Sequence, residues 1–175
     1  AYDLLDLTKM SAGRFSIQKQ RVDIRQIIAN VCKALEMIVE KRHIQIVFPC
    51  DALPPLIVDV DPQRMKQVAS NIIRNALRFS NKSLEIRLER SRVECRVVIE
   101  DDGPGIEPDD LPNIFDKFYQ GKTKSEGGSG LGLAIVQGIV ESHGGRVTAE
   151  NLVPGRDGHT GARFIITLPM PSPEG

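Results

Sequence analysis

The sequence has no surplus of charge of either sign and only three cysteines, and both shortages exclude classes of protein. The 23 basic and 23 acidic residues cancel, so overall charge does not point to nucleic acid or an anionic membrane as a partner. Cys32, Cys50 and Cys95 stand far apart, in a spacing that fits neither a disulfide framework nor a zinc motif. We therefore expect three free thiols in a reducing, cytoplasmic environment.

Long hydrophobic runs are also missing from the sequence. No apolar run approaches the roughly 20 residues that a membrane-spanning helix needs, so we expect no membrane contact from this segment. The 175 residues suffice for one compact domain with its own hydrophobic core. The opening stretch AYDLLDLTKMSAGRF begins inside a helical pattern without a capping residue, and we expect a fragment of a longer chain.

Apolar periodicity predicts both helices and strands. Three helices are predicted at residues 23–42, 62–80 and 131–142. Strands are predicted at 44–49, 56–60, 83–91, 93–101, 145–151 and 162–169. Because the strands do not alternate strictly with the helices, the pattern predicts an α+β fold. We expect a two-layer α/β sandwich, in which a mixed, mostly antiparallel sheet of about five strands carries three helices on one face.

A cluster of glycines precedes the last predicted helix, in the stretch EGGSGLGLAIV at residues 126–136. Glycines allow the backbone to approach a ligand closely, because they carry no Cβ atom. A helix N-terminus offers unpaired N–H groups and a partial positive charge, which together favour a phosphate group. The pattern therefore indicates a phosphate site, although a glycine-rich loop without a ligand would have the same composition.

A second motif, EDDGPGIEP at residues 100–108, follows a predicted strand. The apolar face of that strand ends at Asp101, which places a carboxylate at the rim of the core. Gly103 and Gly105 would let a flat ring lie against the backbone. Such a carboxylate can accept a hydrogen bond from the exocyclic amine of adenine and would repel the carbonyl oxygen of guanine. A surface turn is the alternative, since Asp-Asp-Gly and Pro-Gly favour turns.

A third motif, QVASNIIRNALRFS at residues 67–80, places a row of polar side chains on one helix face. Gln67, Asn71, Asn75 and Arg78 recur at spacings of three and four residues. Asparagine oxygens are hard ligands that suit Mg²⁺ or its bound water, and an arginine could reach a phosphate oxygen. A solvated polar face is the alternative for each residue taken alone.

Together and in this order, the motifs resemble the ATP-binding catalytic domain of bacterial sensor histidine kinases. That family belongs to a superfamily with gyrase, the MutL repair proteins and the ninety-kilodalton heat-shock chaperone. The helix with Asn71 and Asn75 resembles the N box, and DDGPGI and GGSGLGLAIV resemble the two glycine boxes. IFDKFYQ resembles the F box, and HGG and GARFIITLP also follow the family pattern. The resemblance covers about residues 14–169 and implies the Bergerat fold.

The resemblance implies ATP and Mg²⁺ as cofactors and assigns roles to individual residues. Asn71, Asn75 and Arg78 correspond to catalytic residues, Asn75 to the metal ligand and Asp101 to the adenine-binding acid. The remaining nucleotide-binding positions that it implies are Phe79, Gly103, Gly105, Ile106, Lys117, Gly128, Ser129, Gly130, Leu131, Gly132 and Leu133.

The resemblance also implies how the chain is organised. Residues 1–13 resemble the end of the second helix of the kinase dimerisation domain, and residues 14–170 form the catalytic domain. An ATP lid is expected at about 106–128, with Phe115 and Phe118 as anchors and with Lys117, Lys122 and Lys124 as its cations. The tail 171–175 is expected to be disordered.

Two further observations separate the possible activities. ATP-hydrolysing relatives carry a glutamate four residues before the metal-binding asparagine, where this chain has Asn71. An amide cannot act as a general base, so we expect phosphoryl transfer rather than hydrolysis. In the family that the chain resembles, the phosphate acceptor is a histidine followed by an acidic residue. None of His43, His143 and His159 is followed by such a residue. We therefore expect structural or surface roles for them.

The expected partners are therefore a histidine-bearing dimerisation domain, missing here, and a response regulator. We expect a homodimer for the full-length protein, a monomer for this fragment and no nucleic acid partner. The full-length protein could be anchored in a membrane, with this domain in the cytoplasm. Two alternatives are an ATPase clamp of the gyrase or chaperone class and a non-catalytic nucleotide-binding module that docks partners.

Overall fold

The structure is a computed structural model that describes residues 2–120, 130–153 and 160–173. Its helices are α1 (Tyr2–Ser11), α2 (Ile24–Ala34), α3 (Glu36–Arg42), α4 (Pro62–Phe79) and α5 (Gly132–Ser142). Its strands are β1 (Gln20–Asp23), β2 (Gln45–Val47), β3 (Ile57–Val60), β4 (Ser83–Arg90), β5 (Glu94–Asp101), β6 (Arg146–Asn151) and β7 (Ala162–Pro169). Two short 3-10 turns lie at Cys50–Ala52 and Leu111–Asn113.

Five strands form the main sheet, in the order β2-β4-β5-β7-β6. β2 runs parallel to β4, and the other neighbours are antiparallel, which confirms the predicted mixed sheet. β1 and β3 form a separate antiparallel pair. The strands predicted on either side of Pro54 and Pro55 therefore both form, but they belong to different sheets.

The core lies between the main sheet and the helices. α4 contacts β5, α5 contacts β6 and β7, and α2 packs on α4. Alternate residues of the central strands are buried, as the period of two predicts. They are Cys95, Val97 and Ile99 on β5 and Phe164, Ile166 and Leu168 on β7. The predicted two-layer α+β sandwich is confirmed.

α4 shows how local sequence determines a helix that serves the site. Asp61 caps its first turn, since its Oδ1 accepts from the N–H groups of Gln63 and Arg64 at 3.1 and 3.2 Å. Pro62 is the first helical residue, where its missing N–H costs nothing. The apolar residues of α4 face the core, which leaves the row of amides on its other face.

The first predicted helix is divided in two, which the sequence pattern did not indicate. α2 ends at Ala34, and the backbone of its C-cap Leu35 leaves the helical region with φ −97° and ψ 6°. Leu35 is buried, whereas α3 contains no buried residue. The chain therefore turns where Leu35 enters the core, and α3 continues along the surface to His43, which has a left-handed backbone.

α1 packs against α5 and the start of α4. Arg64 binds the Asp6 carboxylate at 2.8 Å, and its guanidinium also lies over the ring of Phe15. A Cβ at Gly138 would lie 2.2 Å from the Met10 sulfur, so the absence of that atom admits the methionine. No helix in the described ranges is long and apolar enough to cross a membrane.

Candidate functional site

Asp101 ends β5 at the rim of the core, as its strand pattern predicted. Its side chain is buried, and its Oδ1 accepts from the N–H groups of Gly103 at 2.9 Å and Ala162 at 3.3 Å. Burial raises the pKa of the Asp101 carboxyl above its ordinary value of 3.8, and the two N–H groups partly oppose that rise. Backbone amides therefore fix the orientation of this carboxylate.

The other oxygen of Asp101 is differently placed. Oδ2 makes no hydrogen bond to any residue that the structure describes. No buried side-chain nitrogen or oxygen in those residues lacks a partner, so Oδ2 must reach an opening to solvent. A ligand that donates a hydrogen bond can approach Oδ2 without displacing a protein group.

Gly103 is required because the loop after β5 passes close to the end of α4. A Cβ atom there would lie 2.1 Å from the carbonyl oxygen of Phe79, which is far inside contact distance. Gly105 has φ +83°, a left-handed conformation that favours glycine. The first glycine motif thus holds the backbone of residues 101–106 against α4.

Two side chains that sequence reasoning missed hold this loop in place. The Asp102 carboxylate accepts from the N–H groups of Asn81, Lys82 and Ser83 at 2.7 to 3.1 Å. Asn151, the last residue of β6, bonds to the backbone of Ile106 through both ends of its amide. Only the polar type of these residues was visible in the sequence, and residue type does not identify a partner distant in the chain.

The polar face of α4 meets the start of α5. The Asn71 Nδ2 donates to the carbonyl oxygen of Gly132 at 3.2 Å, which joins two of the predicted motifs. Asn75 is half-buried, and its amide makes no hydrogen bond within the described part of the chain. Gln67 instead accepts from the Arg64 guanidinium, and Arg78 is exposed.

The second glycine motif is only partly within the described residues, since Gly128 and Ser129 lie outside them. Gly130 has φ +73°, and a Cβ there would lie 2.7 Å from the backbone of Phe118. Gly132 has room for a Cβ atom, which would make an ordinary contact with the Asn71 Nδ2 at 3.9 Å. The structure therefore requires glycine at 130 and not at 132.

Two leucines of that motif pack into the core. Leu131 is buried, and Leu133 is half-buried against the same cluster. Their side chains therefore anchor the first turn of α5.

Side chains of the F-box segment contact the body of the protein. Phe115 packs edge-on against Phe164, with ring centroids 6.4 Å apart. The Lys117 ammonium donates to the hydroxyl oxygen of Ser11 at 3.0 Å, so it is engaged with α1. Phe118 is 60% exposed, which does not suit the predicted anchor. Lys122 and Lys124 lie outside the described residues.

His143 is a structural residue, as predicted. It is buried, its Nε2 accepts from the Asp61 N–H at 3.0 Å, and its Nδ1 lies 2.7 Å from the carbonyl oxygen of Ile139. The Nδ1 therefore carries the proton, and burial lowers the pKa of the ring. His43 lies exposed at the end of α3, and His159 lies outside the described residues.

The three thiols are free, as predicted, and burial raises the pKa of Cys32 and of Cys95 to about 11. Within residues 2–120, 130–153 and 160–173, no group of three or more His, Cys, Asp and Glu residues could hold a metal ion.

Known proteins resemble the chain in sequence and in fold. Residues 60–172 match the family described as histidine kinase-, DNA gyrase B-, and HSP90-like ATPase. The chain is 34% identical to the sensor protein ChvG of Rhizobium meliloti, over 95% of this chain and 31% of that protein. It thus spans less than a third of the length of such relatives.

Solved structures of histidine kinases resemble the chain in fold. The histidine kinase AdeS of Acinetobacter baumannii superposes with a TM-score of 0.79 at 26% identity, over 98% of this chain and 77% of that chain. Full-length ShkA in complex with AMPPNP superposes with a TM-score of 0.78 at 26% identity, over 99% of this chain and 35% of that chain.

Proposed function

Because the chain belongs to the family of histidine kinase-, DNA gyrase B- and HSP90-like ATPases, we propose that it is the catalytic domain of a sensor histidine kinase. In this proposal, residues 14–170 bind Mg²⁺-ATP and present the γ-phosphate for transfer to a histidine. Residues 1–13 are the end of a dimerisation-domain helix. AMPPNP, an adenine nucleotide, is bound by the related ShkA, which supports a nucleotide as the ligand.

The state of Asp101 is the observation that carries the proposal. Its Oδ1 is held by two backbone N–H groups, while Oδ2 is left for a ligand. The amine of adenine can donate to Oδ2, whereas guanine would present a carbonyl oxygen to a carboxylate. The close approach of Gly103 to Phe79 holds the backbone beside the acid against the end of α4.

The residues present also fit a magnesium ion. Asn75 offers a half-buried amide oxygen on the same face of α4 as Asn71. Mg²⁺ is usually bound by few protein oxygens together with phosphate oxygens and water. The described residues, which hold no group of three or more His, Cys, Asp and Glu that could bind a metal, suit that mode. The ion would neutralise charge on the phosphates, while Asn75 holds it beside the N-terminus of α5.

Transfer fits this chain better than hydrolysis. Asn71 stands where the hydrolysing relatives carry their glutamate, and its amide already donates to Gly132. It therefore cannot take a proton from water. We propose that the acceptor histidine lies on a dimerisation domain outside these residues, that the full protein is a homodimer acting on a response regulator, and that this domain works in the cytoplasm.

Labelled ATP tests the transfer directly. The chain alone should incorporate no stable label and release little phosphate, because it has neither an acceptor nor a base. Adding the dimerisation domain of the same kinase should give acid-labile, base-stable label on that domain. The yield should be low because the covalent tether is absent. Stable label on the chain itself, or rapid phosphate release without an acceptor, would contradict the proposal.

A further inference from the structure

Asn151 makes a reciprocal pair of hydrogen bonds to a single distant residue. Its Oδ1 accepts from the Ile106 N–H at 2.7 Å, and its Nδ2 donates to the Ile106 carbonyl oxygen at 2.7 Å. The two residues are 45 positions apart in the chain. Both bonds are short for N–H···O contacts. The amide thus binds both the N–H and the carbonyl of Ile106, as the backbone of a neighbouring strand would.

This pair of hydrogen bonds requires a side-chain amide. Ile106 is half-buried and packs against the core, so its backbone N–H and carbonyl both need partners. An amide supplies one acceptor and one donor, whereas a carboxylate supplies only acceptors. The Oδ1 also lies 2.9 Å from the Cβ position of Gly105, so any larger residue at 105 would displace the amide.

The strand end that carries Asn151 also holds the acid of the proposed site. Asn151 pairs with Ala162 in the sheet, and the Ala162 N–H donates to Asp101 Oδ1. The neighbouring Gly161 N–H donates to the Gly103 carbonyl oxygen at 2.9 Å. Asp101 and Ile106, the two ends of the glycine loop, are thus bonded to adjacent strand ends of one sheet.

We propose that Asn151 is a positioning residue for nucleotide binding, which acts by fixing Ile106 relative to Asp101. This inference rests on the proposed function, since it assigns Asn151 to the same site. The amide touches only the protein. It holds the backbone of the glycine loop in the shape that leaves Asp101 Oδ2 open, and releasing Ile106 lets that loop leave the shape that the nucleotide needs.

The test compares Asn151→Ala, which loses both bonds, with Asn151→Gln, which keeps the amide at a longer reach. Asn30→Ala and Asn30→Gln are matched controls, because Asn30 is exposed on α2. The measurements are hydrogen exchange at the Ile106 amide, the melting temperature, and the affinity for AMPPNP by calorimetry. Asn151→Ala should raise the exchange of Ile106 and weaken binding about tenfold. Asn151→Gln should show smaller changes in the same directions, and the controls should match the parent.

The affinity for AMPPNP separates a positioning role of Asn151 from an effect on global stability alone. A loss of global stability lowers the melting temperature but leaves the affinity of the folded protein unchanged. Parent-like affinity in Asn151→Ala with fast exchange at Ile106 would overturn the proposal. If that variant does not fold, parent-like affinity in Asn151→Gln with raised exchange would do the same. A parent chain that binds no adenine nucleotide would overturn the proposed function as well, and the parent alone reveals it.

Discussion

The two ends of the proposed nucleotide site differ in how completely the protein satisfies its own polar groups. The acid end comprises residues 101–106, Asn151, Gly161 and Ala162, and backbone or side-chain bonds hold almost every part of it. The phosphate end comprises Asn71, Asn75 and residues 130–132. There the Asn71 amide bonds to the Gly132 carbonyl oxygen, and Asn75 makes no hydrogen bond to any residue that the structure describes.

This difference indicates that the acid end is formed before the ligand arrives and that the phosphate end is completed by the ligand. A bonded, close-packed loop needs no reorganisation to accept a ring, which reduces the entropic cost of binding. An amide without a protein partner remains available to a metal ion or phosphate. We therefore expect substitutions at the acid end to affect both folding and binding, and those at the phosphate end to affect binding alone.

The glycines give the largest expected contrast. Gly103→Ala places a Cβ 2.1 Å from a backbone oxygen, so it should lower the free energy of unfolding by about 3 kcal/mol and abolish binding. Gly132→Ala makes only an ordinary 3.9 Å contact with the Asn71 Nδ2 at the start of a helix and should leave the stability at least unchanged. Urea denaturation and an ATP titration measure both effects. Equal losses of stability in the two variants would erase the distinction between the ends.

The acid itself should give the next largest effect. Asp101→Asn replaces a charged acceptor with a neutral amide, and we expect about ten- to a hundredfold weaker ATP binding, roughly 1.5–3 kcal/mol. Asp59→Asn is the matched control, because Asp59 is exposed on β3. Calorimetric titration of both variants measures the loss. If Asp101→Asn bound ATP as the parent does, the acid end would not be the base-binding end.

The phosphate end should respond to metal rather than to stability. Asn75→Ala removes the proposed metal ligand from a polar helix face, where alanine favours the helix. We expect an unchanged melting temperature and an ATP affinity that no longer increases when Mg²⁺ is added. Asn30→Ala provides the comparison at an exposed helical site. A Mg²⁺-dependent gain in affinity as large as that of the parent would exclude Asn75 as the metal contact.

The smallest expected effect is the pH dependence of stability and of ATP affinity at the acid end, where Asp101 titrates. Burial raises the pKa of Asp101 in the folded chain, so ionised Asp101 costs stability at neutral pH. That cost is lost as the pH falls through the raised pKa. ATP affinity should fall over the same range, because the protonated acid is a poorer acceptor for the amine.

Stability and affinity attributable to Asp101 should thus change in opposite directions on acidification. Denaturant melts and titrations of the parent, each referred to Asp101→Asn at the same pH, isolate this contribution. Parallel changes in the two quantities would contradict the proposed role of the ionised acid.

Local patterns in the sequence were sufficient for much of the site. The alternation along β5 predicted that Asp101 would lie at the rim of the core, and the spacing of three and four residues along α4 predicted a face of amides. Both depend on neighbours within a few residues. The break between α2 and α3 at Leu35 was not predicted, because helical spacing reports which residues are buried and not where one helix ends and the next begins.

Contacts between distant residues were beyond the reach of these patterns. The hydrogen bonds from Asn151 to Ile106 span 45 positions, and the bond from Lys117 to Ser11 spans 106. Periodicity identifies a buried or exposed face without naming its partner. The resemblance to the kinase family implied a place for Lys117 at the nucleotide, and in the structure its ammonium bonds to the Ser11 hydroxyl of α1.

The most direct test of the proposed function is a calorimetric titration of the chain with ATP and with GTP, each in the presence of Mg²⁺. Asp101 Oδ2 should accept from the amine of adenine and repel the carbonyl oxygen of guanine. We therefore predict measurable binding of ATP and much weaker binding of GTP. Equal affinity for the two nucleotides would contradict the role assigned to Asp101 and with it the central claim of a preformed adenine site.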